Sequence, residues 1–492
     1  MEVLAIVLLC LLVYSSTLRF SLIVDDIRYA DSIQRGLFAN RKWGFQLLTS
    51  RLYGVGTFAK INKCRACKGH RKLPVHDNGK IQEVACHQCA GTGRSWQVDP
   101  FVEHGFTLFL HTLASVLVFF ALGHNSISFA AALLYAIHPT NTQTSIWLNG
   151  RRYLINVIIV LTMMILGPLA APLYFVTPFF QVNAIFAHVI YGWWGLALTA
   201  AAVIYAWPRW LKARVDSRMK SILNPDMRTW HPGRFIIIIK TFGFYTMQMV
   251  LPQRTMVVYP FIANWGLNKQ GNKDAYSIDL YFVIGFLAIG LSSFGFLTLQ
   301  GPEKWWVAFG FLALLQQCNI IPATQTIADR YCSIPIIFVA YFLAKTAGPI
   351  GCIIIGTYYL TSLFAALPLF KDINSYYDYH LYFDPFGTIV RKFKINWMLK
   401  SHDVMGAWEL IKQGIIRNPN DFAMLYQAAI CMAQMGDTKM FTYYLDKAEE
   451  NHYIGQEEAW GQHLKDLRKA NNDNKKNRIG AMSPKDYAQR IK

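Results

Sequence analysis

Eleven apolar runs separated by polar segments constrain this chain more than any other feature; they lie at 3–18, 105–122, 126–138, 152–166, 168–180, 183–206, 235–250, 278–299, 305–320, 332–346 and 349–368. In lipid every backbone N–H and C=O must be satisfied within the protein, so runs of this length read as helices rather than open strands. The composition agrees: 53% of residues are hydrophobic, only 16% are charged, and the mean hydropathy is +0.24. An ordinary soluble protein of 492 residues is not this apolar. The expected fold is therefore an all-α polytopic membrane protein with about 11 spans.

The excess of 48 Lys+Arg over 29 Asp+Glu suits a membrane protein, whose basic flanks orient its helices and meet anionic lipid. No nucleic-acid reader motif accompanies the charge, so nucleic acid is not an expected partner. The first apolar run follows an acidic Met1-Glu2 start and lacks a small-x-small cleavage pattern, so a retained first helix over 1–24 is expected, with Arg19 snorkelling. The stretch 207–234 carries Arg209, Lys212, Arg214, Arg218, Lys220, Arg228 and Arg234 against Asp216 and Asp226, which makes it cytoplasmic. Counting outward, the N-terminus is cytoplasmic, and the 23–104 loop, the 139–151 turn, the 251–277 loop, the 321–331 turn and the C-terminal tail are extracytoplasmic. The first loop is itself rich in Lys and Arg, but long loops largely escape the charge rule.

Ionisable groups beside spans that converge on one side are candidates for function. Asp25 and Asp26 end the first run and offer a general base, or a ligand for a divalent cation. The turn from His138 to Arg152 supplies an imidazole, several hydroxyls and the guanidiniums of Arg151 and Arg152, which suit a carried phosphate or sugar. Arg254 is the ionisable member of Leu251–Phe261, and Asp329 with Arg330 lies between two later runs. Each has a plainer reading: a hydrated helix end, arginines at headgroups, or an ion pair that packs the bundle.

In order along the chain stand Asp25-Asp26, then Asp99-Pro100-Phe101 with His111, then His138-Pro139 and Trp147-x-x-Gly150-Arg151. Leu251-Pro252 to Tyr259-Pro260, Asn319-Ile320-Ile321-Pro322 and Ala328-Asp329-Arg330-Tyr331 with Pro335 follow. The chain thereby resembles the transmembrane and tetratricopeptide-repeat O-mannosyltransferases, members of the GT-C class of glycosyltransferases. The resemblance implies transfer of a sugar from a dolichyl- or undecaprenyl-phosphate donor to a protein or glycan acceptor. It implies Asp25 or Asp26 as the base, and His138, Arg151, Arg152, Arg254, Asp329 and Arg330 around the donor phosphate and sugar. The chain departs from the family at Asp329, where Glu is common, and in Thr140–Ser145, where an acidic residue before Ala-Val is usual. A non-enzymatic membrane assembly scaffold and a polymerase or ligase of lipid-linked glycans are the rival readings.

Cys64-x-x-Cys67 and, eighteen residues on, Cys86-x-x-Cys89 have the spacing of a closed four-thiolate zinc site, which implies structural Zn2+. Cys86–Gly93 resembles one half-site of a DnaJ-type zinc finger, and Cys64–Gly69 the other less closely. Because thiolates outside the cytoplasm oxidise, a disulfide within each pair is the second reading and an inverted topology the third.

After 368 the hydropathy drops. Ala407, Ile411, Gly414 and Pro419, then Leu425, Ala428, Ala429, Met432, Gly436, Leu445 and Ala448, fall at positions of tetratricopeptide units. The expected organisation is a first span at 1–24, the acidic loop at 25–59, the four-cysteine zinc-finger-like insert at 60–95, the membrane domain at 96–368, helical repeats at 369–470 and a basic tail at 471–492.

Overall fold

A computed structural model describes residues 1–23, 59–63, 70, 72–77, 80–85, 94–167, 169, 233–253, 255–256, 278–315, 318, 327–383, 388–451 and 468. The first helix, α1 (Glu2–Tyr14), continues as a 3-10 turn over Ser15–Arg19. α2 (Pro100–Ala121) begins where Asp99 accepts the Phe101 amide and Pro100 occupies the first helical position, where its missing N–H costs nothing. α3 (Ser126–Ala136) is capped by Asn125, whose side chain accepts the Ser128 amide.

Among the described residues four helices are long and apolar enough to cross a membrane: Glu2–Arg19, Pro100–Ala121, Leu280–Thr298 and the stretch Pro335–Phe370. Shorter apolar helices run over Ser126–Ala136 and Phe235–Val250. The runs at 168–180 and 183–206 lie outside the described residues apart from Leu169.

Between the first two apolar helices the described residues include four short strands. Strands β1 (Ala59–Lys63) and β4 (Arg94–Val98) pair antiparallel, and so do β2 (Lys72–Asp77) and β3 (Lys80–Ala85). The all-α expectation therefore gives way here to a small β module nested within the first polar loop.

The membrane domain continues with α4 (Thr142–Ser145), α5 (Arg151–Leu166), α6 (Gly233–Val250), α7 (Leu280–Thr298) and α8 (Pro302–Leu315). α6 and α7 cross at Gly243 and Gly285, where any side chain would collide with backbone: a Cβ on Gly285 would sit 2.0 Å from the Ile239 carbonyl oxygen. Small residues allow this approach, and the Lys240–Asp279 ion pair at 2.6 Å ties the same two helices.

The long helix α9 (Pro335–Ala366) reverses direction in its middle. Gly348 has φ 63° and ψ −178°, a conformation that only glycine adopts without strain, and Pro349 follows it. A straight helix would separate Pro335 from Tyr359 by ~36 Å. Instead Tyr359 donates to the carbonyls of Met249 and Val250 and its ring lies 4.5 Å from that of His138, close to the segment that precedes Pro335. Tyr341 and Lys345, nearer the break, reach Glu303 at the start of α8. The break falls between the apolar runs at 332–346 and 349–368.

Beyond α9 a 3-10 turn (Leu367–Phe370) leads to α10 (Ile373–Phe383), α11 (Thr388–Lys400), α12 (Val404–Arg417), α13 (Phe422–Met435) and α14 (Thr438–Glu450). Asp403, Asp421 and Asp437 each cap the helix that follows. Ala407, Ile411, Leu425, Ala428, Ala429, Met432, Leu445 and Ala448 form the second core, and Phe441 is buried among them.

His380 on α10 is 1% exposed, donates Nδ1 to the Tyr376 carbonyl, and is lowered to about 4 by burial. A histidine held neutral in the folded state but free to charge when unfolded leaves stability intact above its unfolded pKa of about 6.5 and erodes it as pH falls toward 4. Thermal melts of His380→Phe should accordingly show about 3 kcal/mol less acid sensitivity over that window than the wild type; parallel curves would sink the assignment.

Candidate functional site

One end of the helical bundle is polar although it is closed to water. Three segments meet there: the turn 138–152, the end of α6 with its continuation at 251–256, and 327–334. Thr140, Asn141, Thr142, Gln143, Thr144 and Ser145 are all 2% exposed or less. Buried polar groups need partners, and the turn supplies most of its own. Asn141 Nδ2 donates to Tyr135 O, Thr142 Oγ1 to Pro139 O, and Thr144 Oγ1 to Asn141 O. The hydroxyls of Thr142 and Thr144 are thus spent on backbone.

His138 is similarly engaged. Nε2 donates to Met249 O at 2.9 Å, while Nδ1 accepts from the Thr140 amide at 3.3 Å and its hydroxyl at 2.8 Å. The ring, 1% exposed, ties the turn to the end of α6.

Gln143 is the junction of the three segments. Its Nε2 donates to Met256 O at 2.7 Å and approaches Asp329 Oδ2 at 3.5 Å; its Oε1 accepts from the Arg330 amide at 3.4 Å and from Arg330 Nη1 at 3.3 Å. Asp329 Oδ2 also accepts the Met256 amide at 3.2 Å. Asp329 is fully buried and acts as a staple on the loop carrying Arg254. Gly150 makes the arrangement possible, because a Cβ there would lie 1.9 Å from the Gln143 carbonyl oxygen.

The Arg330 guanidinium is boxed by aromatic rings. Its Cζ stands 5.1 Å from the Trp147 centroid, 5.6 Å from Tyr153 and 5.1 Å from Tyr331. Arg152 shares the box, 5.2 Å from the Tyr153 centroid. Such stacking holds a guanidinium by its faces and fixes the direction of its N–H groups. Among the described residues Trp147 Nε1 and Arg152 Nε, both buried atoms, have no hydrogen-bond partner. Chemically this is a cluster of donors and cations, a composition that suits phosphate.

Arg151 faces elsewhere. Its Nη2 pairs with Glu103 Oε2 at 2.7 Å and its Nε donates to Thr107 Oγ1 at 3.0 Å, both partners lying on α2. With 1% exposure it clamps α5 to α2. The sequence reading groups Arg151 with Arg152 and Arg330; the structure places it in a separate buried pair. Beside that pair, His104 is 2% exposed and lies against the backbone of Phe20, Ser21 and Ile146.

Asp25, Asp26, Arg254, Cys64, Cys67, Cys86 and Cys89 lie outside the described residues. Their chain neighbours are nevertheless fixed. The Ser21 amide and hydroxyl both donate to Lys371 O, and Ile23 is 3% exposed in the main core. In the β module Lys63 pairs with Arg94 and Lys72 with Ala85, so the two connections that contain the cysteine pairs join the same two ladders.

Sequence reasoning gave no individual role to Gln143, Tyr153, Glu103 and His104. Glu103 carried a usable signal, since an acid at the edge of an apolar run needs a partner. The neutral groups carried none, because their role depends on residues far away in the chain.

The Glu103–Arg151 pair makes its own prediction. Glu103→Ala should lower stability in detergent by about 3–5 kcal/mol by leaving a buried guanidinium without its carboxylate, whereas Glu103→Leu with Arg151→Met should cost markedly less. Equal melting temperatures for the two variants would show that the charges are not coupled. Comparison with known proteins returned no matching family model, no matching curated protein and no matching solved structure.

Proposed function

We infer that this chain is an integral membrane glycosyltransferase of GT-C type, which transfers a sugar from a polyprenyl-phosphate donor to a protein or glycan acceptor. The observation that carries the reading is Arg330, held by Gln143 and three aromatic rings with Arg152 beside it, at the bundle end from which the chain leads into Asp25-Asp26.

Inverting transfer makes two demands. The acceptor nucleophile must lose its proton as it attacks the anomeric carbon, and the phosphate oxygen must take the bonding electrons as the sugar–phosphate bond breaks. Asp25 or Asp26 accepts the proton; Arg330 and Arg152, with Arg254 on the stapled loop, offset the charge growing on the leaving lipid phosphate. His138, Asp329 and Gln143 hold the cations in register, and Arg151 secures the helix from which Arg152 and Tyr153 project.

A lipid-borne donor also needs an apolar channel. A cleft of about 140 Å³ lies among α6, α7, α8 and α9, lined by Phe242, Met249, Trp306, Phe311, Pro335 and Phe338. Pro335 and Phe338 follow directly on the Asp329-Arg330 turn, so an isoprenoid seated there would have its phosphate end near the guanidinium.

The reading includes eleven crossings, with the N-terminus cytoplasmic and the donor site, the module and the C-terminal helices extracytoplasmic. It also includes tetratricopeptide-like packing of the C-terminal helices, which offers a surface for a protein acceptor. Four thiolates at 64, 67, 86 and 89 fit zinc in number, spacing and chemistry, and would serve structure, since a closed tetrahedral site leaves no position for substrate.

Two experiments test these points. Asp25→Asn and Asp26→Asn, made separately and assayed with radiolabelled polyprenyl-phosphate sugars, should leave one variant at least about 100-fold slower than wild type; full activity in both removes the catalytic assignment. Purified protein should contain one zinc per chain and Cys86→Ser should contain none, so a metal-free wild type would point to disulfides instead.

A further inference from the structure

The Gln143 side chain meets a double demand, for a donor and an acceptor on one group. Its Nε2 faces two acceptors, Met256 O at 2.7 Å and Asp329 Oδ2 at 3.5 Å, and its Oε1 faces two donors, the amide and Nη1 of Arg330. Donor and acceptor must therefore sit on one planar group, which is a carboxamide. An isosteric carboxylate would satisfy Arg330 but turn an oxygen toward two other oxygens. A small side chain would satisfy neither side.

The backbone around Gln143 leaves little freedom to compensate. The residue is 0% exposed, it lies in the four-residue helix Thr142–Ser145, and its own carbonyl is pressed against Gly150. The segments it joins are far apart in the chain, 113 residues to Met256 and 187 to Arg330.

We propose that Gln143 is the positioning residue of this site: it sets the Arg330 guanidinium and, through Met256 and Asp329, the segment at 255–256 in one register, so that Arg330 is held for the donor phosphate. The part concerning phosphate rests on the glycosyltransferase reading; the part concerning register does not.

The two halves of the amide predict different damage from two variants, which amide hydrogen exchange on the full-length protein in detergent can separate. Gln143→Ala removes both halves, so peptides containing Met256 and Arg330 should both exchange at least about tenfold faster. Gln143→Glu keeps the acceptor for Arg330 and puts like charge against Asp329, so only the Met256 peptide should accelerate. A peptide from α2 serves as control and should be unchanged in both variants. If both variants exchange as wild type, or if the α2 peptide accelerates together with the others, Gln143 is an ordinary core residue and the proposal is overturned.

In the transfer assay, Gln143→Ala should raise the donor KM at least about tenfold through misplacement of Arg330, with a smaller change in kcat. A wild type that transfers no sugar would defeat the glycosyltransferase reading, while the exchange pattern would still decide the role of Gln143. An unchanged donor KM in an active Gln143→Ala variant would overturn the link from Gln143 to the phosphate.

Discussion

Polar groups removed from both water and lipid must satisfy one another, and the closed end of this bundle is built on that constraint. Its hinge is the Gln143 amide, which meets the 251–256 segment through Met256 and the 327–334 segment through Asp329 and Arg330. Once the amide is buried, the rest follows. His138 has to hold Met249, Asp329 has to hold the Met256 amide, and residue 150 has to be glycine. A network of this kind is rigid because loosening any member exposes an unpaired group at low dielectric.

The scaffold serves that end. Small residues let α6 and α7 touch at their backbones, and Gly348 with Pro349 turns α9 back so that Tyr358 and Tyr359 return to carbonyls at Met249, Val250 and Pro252. Tyr14 and His111 converge on one carbonyl, that of Ala136, two residues before His138. The first helix is thereby bound to the helix that delivers the polar turn. Ser21 is bound in the same way to Lys371, where the membrane domain passes into the C-terminal helices. The start of the first loop is thus anchored on two sides.

Much of this fold was legible in the residues. Hydropathy located α2, α3, α5, α6, α7, α8 and both arms of α9 to within a few positions, because burial in apolar surroundings imposes a long, continuous signal. The gap between the runs at 332–346 and 349–368 coincides with the break at Gly348. The β module was not legible as strands, since pairs such as Lys60 with Gln97 are set by the register of segments more than thirty residues apart. At the site the residue types were legible and their allegiances were not. Arg151 and Arg152 are neighbours with identical chemistry, yet a helix turns successive side chains by about 100°, and that rotation sends one to Glu103 and the other to Tyr153. Asp329 looked like a partner for a ligand; its partner in the fold is an amide 73 residues upstream.

The contrast between the two buried arginines bears on what the site does. Arg151 meets a carboxylate at 2.7 Å, and such a pair is electrically closed: it stabilises a helix contact and attracts little. Arg330 meets an amide oxygen and the faces of Trp147, Tyr153 and Tyr331, contacts that orient a guanidinium. Arg152 brings a second charge to the same tyrosine. Under the glycosyltransferase proposal, two guanidiniums stacked on one tyrosine would gain most when phosphate charge grows beside them as the sugar bond breaks.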